Sequence, residues 1–382
     1  MKKKINQCKW TLLLLIIILN SSIAISQFIK SWGYSVQNKK DLSDNRLRFN
    51  TTKAFSLIQK QVDLGPRYPG SKGLEELRQL IKTELLPTQK WRISYQNFSK
   101  RWIDNQDIIL VNIICSPTIY DSSQPSFLLM AHYDTRLWAD NDPNPLKQKN
   151  NVLGANDGAS GVAVALELGR VLLECYNISN FQLVFFDGED QGGINGWGWL
   201  IGSRYYVESQ DFKSQNLLFA ILFDMVAGTN ATFKRELYSD QYAGALVSII
   251  WNKADTLGFN NYFVNKTGGR IIDDHLPLIQ KGIPAIDIID DFSHRYKPWH
   301  TSFDNMSFID LQTLEAVGYP LEAVLRQGKN VSEWITRLST VNYQTSVIIF
   351  NLSNGYFLSV IIILFLKSRQ LKLKKSEFYL IK

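Results

Sequence analysis

The residues with the clearest capacity for chemistry lie in one short stretch, residues 183–190. Four consecutive apolar residues predict a buried strand, and Gly188 breaks it. Glu189 and Asp190 follow side by side, at the strand end where open α/β sheets bind their ligands. Because adjacent carboxylates repel each other, we expect a positive group beside them. A metal ion with Asp190 as ligand and Glu189 as general base meets that need, and a solvated acidic turn is the alternative.

Other potential metal ligands occupy comparable positions, at the ends of apolar runs or at a helix start. They are His132, Asp157, Asp224 and His300. Considered singly, each has an ordinary explanation, because a histidine after a strand is often packed or exposed and an aspartate at a helix start is usually an N-cap. The recurrence of acids and histidines at strand ends is much harder to attribute to chance. Since catalytic zinc takes histidine and carboxylate ligands and keeps one position open, the pattern favours a zinc site.

The elements that must position these residues alternate between helices and strands. The spacing of apolar residues predicts helices at 50–62, 72–85, 157–174, 242–257, 276–281 and 311–338. Apolar runs bounded by turn residues predict strands at 91–98, 108–115, 126–131, 183–186, 217–223 and 284–289. The sequence has no internal repeat and no recognisable interdomain linker. This alternation predicts a single α/β/α sandwich with a central mixed, largely parallel sheet.

The charge of the chain is concentrated at its two ends. The 382 residues contain 42 Lys and Arg against 35 Asp and Glu, a formal charge of +7. Four of the bases lie in residues 1–26, and six bases and one acid lie in residues 347–382, which leaves 32 bases and 34 acids between them. The body is therefore nearly neutral and has no clustered basic stripe, so nucleic-acid binding is not expected.

The N-terminal segment, residues 1–26, has the pattern of an export signal. Three lysines precede the apolar run of residues 12–19, and small residues follow at 22–26, where cleavage could occur. Without cleavage the segment would be a short N-terminal anchor. A buried helix is the alternative, but the flanking lysines fit it poorly.

The C-terminal segment, residues 347–366, is mostly apolar and long enough to span a bilayer. The basic residues of 367–382 then predict a cytoplasmic tail. The alternative is a hydrophobic tail packed on the domain. With both segments, residues 27–346 form a catalytic domain that is exported and membrane-anchored, or secreted if the tail does not span.

The motifs around the candidate ligands together resemble one superfamily, which contains the zinc aminopeptidases and the glutaminyl-peptide cyclotransferases. The motifs are His132-Tyr133-Asp134, Asn156-Asp157 with the following Gly-Ala-Ser-Gly, residues 185–190, Phe223-Asp224 and Trp299-His300-Thr301. They stand in the family's order and cover roughly residues 50–330. The resemblance implies a zinc-exopeptidase-like sandwich with the metal at the carboxyl edge of the sheet.

The resemblance also implies the role of each residue. Catalytic zinc would be held by Asp157, Asp190 and His300, with Glu189 as the general base. In the two-zinc peptidases of the superfamily, the residues matching His132 and Asp224 hold a second metal, bridged by the residue matching Asp157.

Three features resemble the cyclotransferase branch more closely than the peptidase branch. Asp273 begins an Asp-Asp-His-Leu-Pro motif, in which the cyclotransferases use the first aspartate to bind the substrate amide. Trp299 precedes the ligand His300, where peptidases commonly have tyrosine. The segment Gly202-Ser203-Arg204 is also similar to the cyclases. A solvated turn at Asp273 and a plain core role for Trp299 are the alternatives.

Some residues depart from the animal cyclases. Asp190 stands where those enzymes have glutamate, which shortens the ligand by one methylene, and Asp287 stands where they have a histidine near the pocket. The Gly- and Trp-rich loop at residues 192–198 differs in length from that of the animal cyclases. Trp197 and Trp199 are therefore rival candidates for the pocket wall.

The sequence therefore predicts a zinc-dependent glutaminyl-peptide cyclotransferase, which acts on the N-termini of peptides or proteins. One zinc ion is expected, with Glu189, Asp224 and Asp273 as catalytic residues, and with Asp224 and Asp273 sharing a proton if they lie close together. The walls of a water-excluding pocket are assigned to Trp197, Trp199 and Trp299. The alternatives are a zinc aminopeptidase with two zinc ions and an inactive ectodomain that binds peptides.

Overall fold

The chain is described by a computed structural model over residues 46–85, 88–210, 212, 216–291 and 298–327. From Arg48 onward these residues belong to one compact unit. The predicted signal or anchor at 1–26, the predicted span at 347–366 and the predicted tail at 367–382 lie outside the described residues and stay predictions. In the part of the chain that is described, no helix combines the length and hydrophobicity needed to cross a bilayer.

The described strands form a mixed six-stranded sheet and a small two-stranded one. The strands are β1 (Trp91–Arg101), β2 (Asp107–Pro117), β3 (Ser126–His132), β4 (Phe181–Phe186), β5 (Leu217–Asp224), β6 (Phe233–Arg235), β7 (Phe263–Thr267) and β8 (Ala285–Ile289). The main sheet has the order β1-β2-β4-β3-β5-β8, and β6 pairs with β7. Strands β4, β3, β5 and β8 run parallel, whereas β1 and β2 are antiparallel additions at one side.

Helices cover both faces of the main sheet. They are α1 (Thr51–Asp63), α2 (Lys72–Leu85), α3 (Ala159–Cys175), α4 (Ile201–Ser209), α5 (Leu237–Thr256), α6 (His275–Gln280) and α7 (Leu311–Leu325). Side chains of α1, α2, α3, α5 and α7 join the larger core on one face, and those of α4 and α6 join a smaller core on the other. The predicted α/β/α sandwich with a mixed, largely parallel sheet is confirmed.

Alternation along the central strands supplies both cores. In β3, Leu129 and Ala131 belong to the larger core, and Leu128 and Met130 belong to the smaller one. Because successive strand residues point to opposite faces, a strand buried on both sides must be apolar throughout. This explains why the strands that precede the acids and histidines are continuous apolar runs in the sequence.

The structure differs from the predicted elements mainly in short or weakly patterned segments. Helix α5 begins at Leu237, where the side chain of Glu236 accepts hydrogen bonds from the backbone N–H groups of Tyr238 and Ser239. Glutamate is not a usual N-cap residue, so this start was not predicted. The backbone is non-helical at Ala243, so the predicted start near 242 coincides with a kink inside the helix. Helix α4 and the short strands β6 and β7 were also not predicted. Strand β6 has three residues and β7 has five, which is too short for an alternation of apolar and polar residues to be recognised.

Parallel pairing brings the carboxyl ends of β3, β4 and β5 to one edge of the sheet. His132 ends β3, Asp224 ends β5, and the loop that carries Glu189 and Asp190 follows β4. Because parallel strands point the same way, these residues converge although they are far apart in the sequence.

Candidate metal centre

Asp157 lies between two histidines and defines the centre of the site. Its Oδ1 is 3.1 Å from Nε2 of His132, and its Oδ2 is 3.7 Å from Nε2 of His300. Asp224 completes one group, with Oδ1 at 3.2 Å from His132 Nε2, and Asp190 completes the other, with Oδ1 at 2.8 Å from His300 Nε2. Two groups could therefore each hold a metal ion: the first is Asp157–Asp190–His300, and the second is His132–Asp157–Asp224.

The residues of both groups fit a bound cation. All five side chains are buried, and Oδ2 of Asp190 has no hydrogen-bond partner among the described residues. Burial lowers the pKa of His132, but its hydrogen bonds to Asp134, Asp157 and Asp224 outweigh this and raise the pKa well above its usual value. A buried cluster of carboxylates therefore needs positive charge, which a proton on the imidazole or a metal ion can supply.

Asp134 fixes the backbone of the loop that carries Glu189 and Asp190, and it was not predicted as a site residue. Its carboxylate accepts hydrogen bonds from the backbone N–H groups of Glu189 and Asp190, at 3.0 and 3.2 Å, and from the side chain of Gln191. Its backbone oxygen lies 3.2 Å from Nδ1 of His132, which places the Nε2 atom toward the site. The His-Tyr-Asp spacing was the signal for this role, since the ring nitrogen opposite the ligand atom needs an orienting partner.

Asp157 is held by a second residue that the sequence did not reveal. Backbone N–H groups of Asn156 and Asp157 donate to the carboxylate of Asp304, at 2.8 and 3.1 Å. The next residue, Gly158, has a φ of 100°, and a Cβ there would lie 3.0 Å from Cε1 of His132. Only glycine combines this backbone angle with this close approach.

His300 has a left-handed backbone, with φ of 56°, and its ring is flanked by two indoles. The ring of Trp299 stacks on it with centroids 3.9 Å apart, and that of Trp199 lies parallel to it at 6.0 Å. Non-glycine residues adopt this backbone rarely, and such strain is concentrated at functional sites.

A pocket of about 320 Å³ opens onto these residues. Its lining includes the predicted residues Asp157, Glu189, Asp190, Trp199, Asp224, Asp273 and Trp299. The pocket thus brings together the predicted base, the predicted catalytic aspartates and two of the three predicted zinc ligands, Asp157 and Asp190. The third, His300, lies behind them, with Nε2 at 2.8 Å from Oδ1 of Asp190. Among the described residues, only one of the two rival indoles of the Trp-rich loop reaches the pocket.

Trp197 lies in a separate cluster and does not line the pocket. It packs with Phe98 and Leu110, meets Trp102 edge-on at 4.5 Å, and its Nε1 donates to the carbonyl of Arg101. The sequence assigned it to the pocket wall because loop length alone could not show which indole turns inward. Trp199 is the one that turns inward, over Gly192.

Trp199 is held in place by its neighbours. The guanidinium of Arg136 lies 5.1 Å from the Trp199 ring and donates to the carbonyls of Asp190 and Gly192. Arg136 also pairs with Asp140, whose Oδ1 is 3.8 Å from Nδ1 of His300. A Cβ added at Gly192 would lie 2.0 Å from Cδ2 of Trp199, so the indole rests directly on the glycine.

We expect Gly192→Ala to displace Trp199 from the pocket wall and to raise KM by about threefold to tenfold, the scale of one aromatic contact. The content of bound metal should not change, because Trp199 supplies no ligand atom. Gly198→Ala is the matched control, since a Cβ there meets nothing within 4 Å. Steady-state kinetics and metal analysis of both variants check this, and equal KM values would contradict the assigned position of Trp199.

Several acids of the pocket have raised pKa values. Burial, followed by the charge of Asp224, raises the pKa of Asp273 to about 7, and burial raises that of Asp224 to about 6. Burial also raises the pKa of Glu189 well above its usual value, and a bound dication would lower it again. Proton sharing between Asp224 and Asp273 stays a prediction.

These features define a class of enzyme in which an α/β/α sandwich carries a buried histidine–carboxylate metal centre at the carboxyl edge of its sheet. The profile of Peptidase family M28 matches residues 112–324, and the chain belongs to that family.

Comparison with known proteins shows similarity to both branches of the superfamily, the glutaminyl-peptide cyclotransferases and the zinc exopeptidases. The glutaminyl-peptide cyclotransferase of Gloydius blomhoffii is 27% identical over 309 residues, which cover 71% of this chain and 81% of that protein. The structure of Porphyromonas gingivalis glutaminyl cyclase is 36% identical with a TM-score of 0.68, covering 73% of this chain and 98% of the other. A Zn-dependent exopeptidase from Parabacteroides distasonis is 32% identical with a TM-score of 0.68, covering 73% and 99%. The family and this exopeptidase imply zinc as the metal.

Proposed function

We propose that the chain is a zinc-dependent glutaminyl-peptide cyclotransferase, which converts an N-terminal glutamine of peptides or proteins to pyroglutamate and releases ammonia. The observation that carries the proposal is the position of Asp273, a buried carboxyl that lines the same pocket as Glu189 and Trp299. A buried side-chain amide needs a carboxyl of this kind, because each amide N–H requires a hydrogen-bond acceptor when it is buried.

Asp157, Asp190 and His300 would hold the zinc ion that this proposal requires. When bound, zinc supplies a Lewis acid that polarises the carbonyl of the substrate amide. The three residues converge from a helix start, a strand-end loop and a left-handed turn, each fixed by buried hydrogen bonds. Asp157 and Asp190 of this group line the pocket together with Trp199 and Trp299, so the substrate would lie between these ligands and the two indoles.

The carboxylate of Glu189 would move the proton during cyclisation. The α-amine nitrogen of the substrate attacks Cδ of its own side-chain amide, and a C–N bond forms while the original Cδ–N bond breaks. Glu189 accepts a proton from the attacking amine and returns it to the departing ammonia. Glu189 lines the pocket beside the ligand Asp190, so its carboxylate is in the space where the two nitrogens of the substrate would lie.

Asp273 and the indoles would bind and orient the substrate. The carboxyl of Asp273 is an acceptor for the amide N–H groups, and Trp199 and Trp299 limit the access of water to the reacting carbon. Excluding water favours attack by the amine over hydrolysis. Holding the glutamine side chain folded back on its own amine supplies the proximity that an intramolecular reaction needs.

A zinc aminopeptidase is the second candidate function, and the group His132–Asp157–Asp224 favours it. All three residues are buried, and their ligand atoms lie as close together as those of the first group. In the cyclotransferase proposal one zinc suffices, and His132 is a hydrogen-bond partner of Asp157 and Asp224 instead of a ligand. In the aminopeptidase, Glu189 would activate water and the second group would hold a second zinc.

Two peptides that differ only in their first residue separate the two functions. We expect a Gln-initiated peptide to lose ammonia, a mass decrease of about 17 Da that follows from the bonds broken in cyclisation, while a Leu-initiated peptide stays intact. Mass spectrometry measures both products, and metal analysis gives zinc per chain. Release of free leucine with two zinc ions per chain would establish the aminopeptidase, and binding of both peptides without any product would indicate an inactive peptide-binding domain.

A further inference from the structure

One wall of the pocket mouth is the segment Arg270–Ile271–Ile272, which lies between β7 and α6. Its backbone is anchored by the start of α5. Ile271 N–H donates to Oε1 of Glu236 at 3.1 Å, and Gly269 accepts from the N–H of Leu237 at 3.0 Å. The segment is therefore a fixed rim rather than a loose loop, although Arg270 and Ile272 are exposed.

The charge of Arg270 is opposite to that of every other ionisable residue lining the pocket in the described part of the chain. The others are Asp157, Glu189, Asp190, Asp224 and Asp273. Arg270 forms no ion pair among the described residues. Its guanidinium instead lies 5.6 Å from the ring of Tyr238, in the first turn of α5. Stacking on an aromatic ring restrains the guanidinium plane and leaves its N–H groups free to bind another partner.

The direction of the substrate brings its second and third residues to this rim. If the proposed function is correct, the α-amine and the side-chain amide of the first residue reach the acids at the bottom of the pocket. The rest of the peptide must then leave through the mouth, because the bottom is closed by buried side chains. The side chains that follow the first residue can then reach the segment that carries Arg270, since that segment is part of the pocket lining and two of its residues are exposed.

We propose that Arg270 is a specificity residue, which selects substrates with an acidic side chain one or two positions after the N-terminal glutamine. A carboxylate there can pair with two N–H groups of the guanidinium in a planar, bidentate arrangement. The half-buried Ile271 and exposed Ile272 supply an apolar surface for the stem of that side chain. A basic side chain at the same positions would be repelled. This inference rests on the proposed function and concerns its substrate class.

Four amidated peptides test the inference on the zinc-loaded enzyme: Gln-Glu-Ala, Gln-Ala-Glu, Gln-Ala-Ala and Gln-Lys-Ala. Amidation removes the terminal carboxylate, which could otherwise bind the same guanidinium. We expect kcat/KM for the better Glu peptide to exceed that for Gln-Ala-Ala by about fivefold, the upper scale of an exposed ion pair. The difference should appear in KM and shrink in 0.5 M salt, since salt screens exposed charges.

Arg270→Gln is expected to bring the ratio of the Glu and Ala peptides close to one. Arg92→Gln is the matched control, because Arg92 is an exposed base on β1, at the opposite side of the sheet from β8. A ratio near one in the unmodified enzyme, or a ratio that survives Arg270→Gln, would overturn the inference. Absence of ammonia release from all four peptides would instead contradict the proposed function, so the two failures are distinguishable.

Discussion

Replacement of Glu189 by glutamine should lower kcat by at least about 100-fold, the usual contribution of general acid–base catalysis. The amide keeps the size and position of the side chain but can no longer accept and return a proton. The backbone N–H of residue 189 still donates to Asp134, so the loop and the neighbouring ligand Asp190 should stay in place. We therefore expect the zinc content of Glu189→Gln to equal that of the unmodified enzyme.

Single-turnover kinetics with a Gln-initiated peptide, together with metal analysis, measures both properties. Glu208→Gln is a suitable control, because it replaces the same carboxylate by the same amide at an exposed position on α4, outside the pocket. Nearly normal turnover by Glu189→Gln would show that the base lies elsewhere. A loss of zinc in this variant would show that residue 189 is a ligand and not the base.

Replacement of His300 by alanine should remove both the metal and the activity. His300 supplies the nitrogen ligand of its group, and its ring is also the surface on which Trp299 stacks. Loss of a residue that only orients a ligand costs about 10- to 100-fold in metal affinity, so loss of the ligand itself should cost at least as much. The domain should still fold, because the cores on both faces of the sheet do not include His300.

His300→Gly controls for the left-handed backbone at this position. Glycine adopts a φ of 56° without strain and alanine does not, so a loss of zinc in both variants would be caused by the missing imidazole. His132→Ala is the informative comparison, because it should leave the first group intact and retain one zinc ion. Zinc measurement after dialysis and thermal unfolding of all three variants give the answer, and full zinc occupancy in His300→Ala would refute the ligand assignment.

The site residues that follow strands could be predicted from the sequence, because sheet topology brings the ends of these strands together. Apolar runs that end in His132, Asp224 and the pair Glu189–Asp190 predict parallel strands with a common edge. His300 and Asp157 lie in turns, and their assignment depended on resemblance to a known superfamily. Metal ligands are restricted to a few side-chain types, so candidate ligands can be identified from the sequence.

The residues that hold the site in place could not be predicted in the same way. Asp304 accepts hydrogen bonds from Asn156 and Asp157, which are 148 and 147 positions away in the chain. In the sequence, an aspartate that accepts hydrogen bonds from a distant backbone cannot be distinguished from one that is solvated. The inward turn of Trp199 likewise depends on the contact with Gly192, and no periodicity exists in such a loop to show it.

The hydrogen bonds of Asp134 determine when the order of the site is established. One buried carboxylate fixes the backbone of both the base and a ligand, and every partner in these hydrogen bonds is a protein group. The conformational entropy of aligning Glu189 with Asp190 is therefore lost when the chain folds. It is not an additional cost of zinc binding.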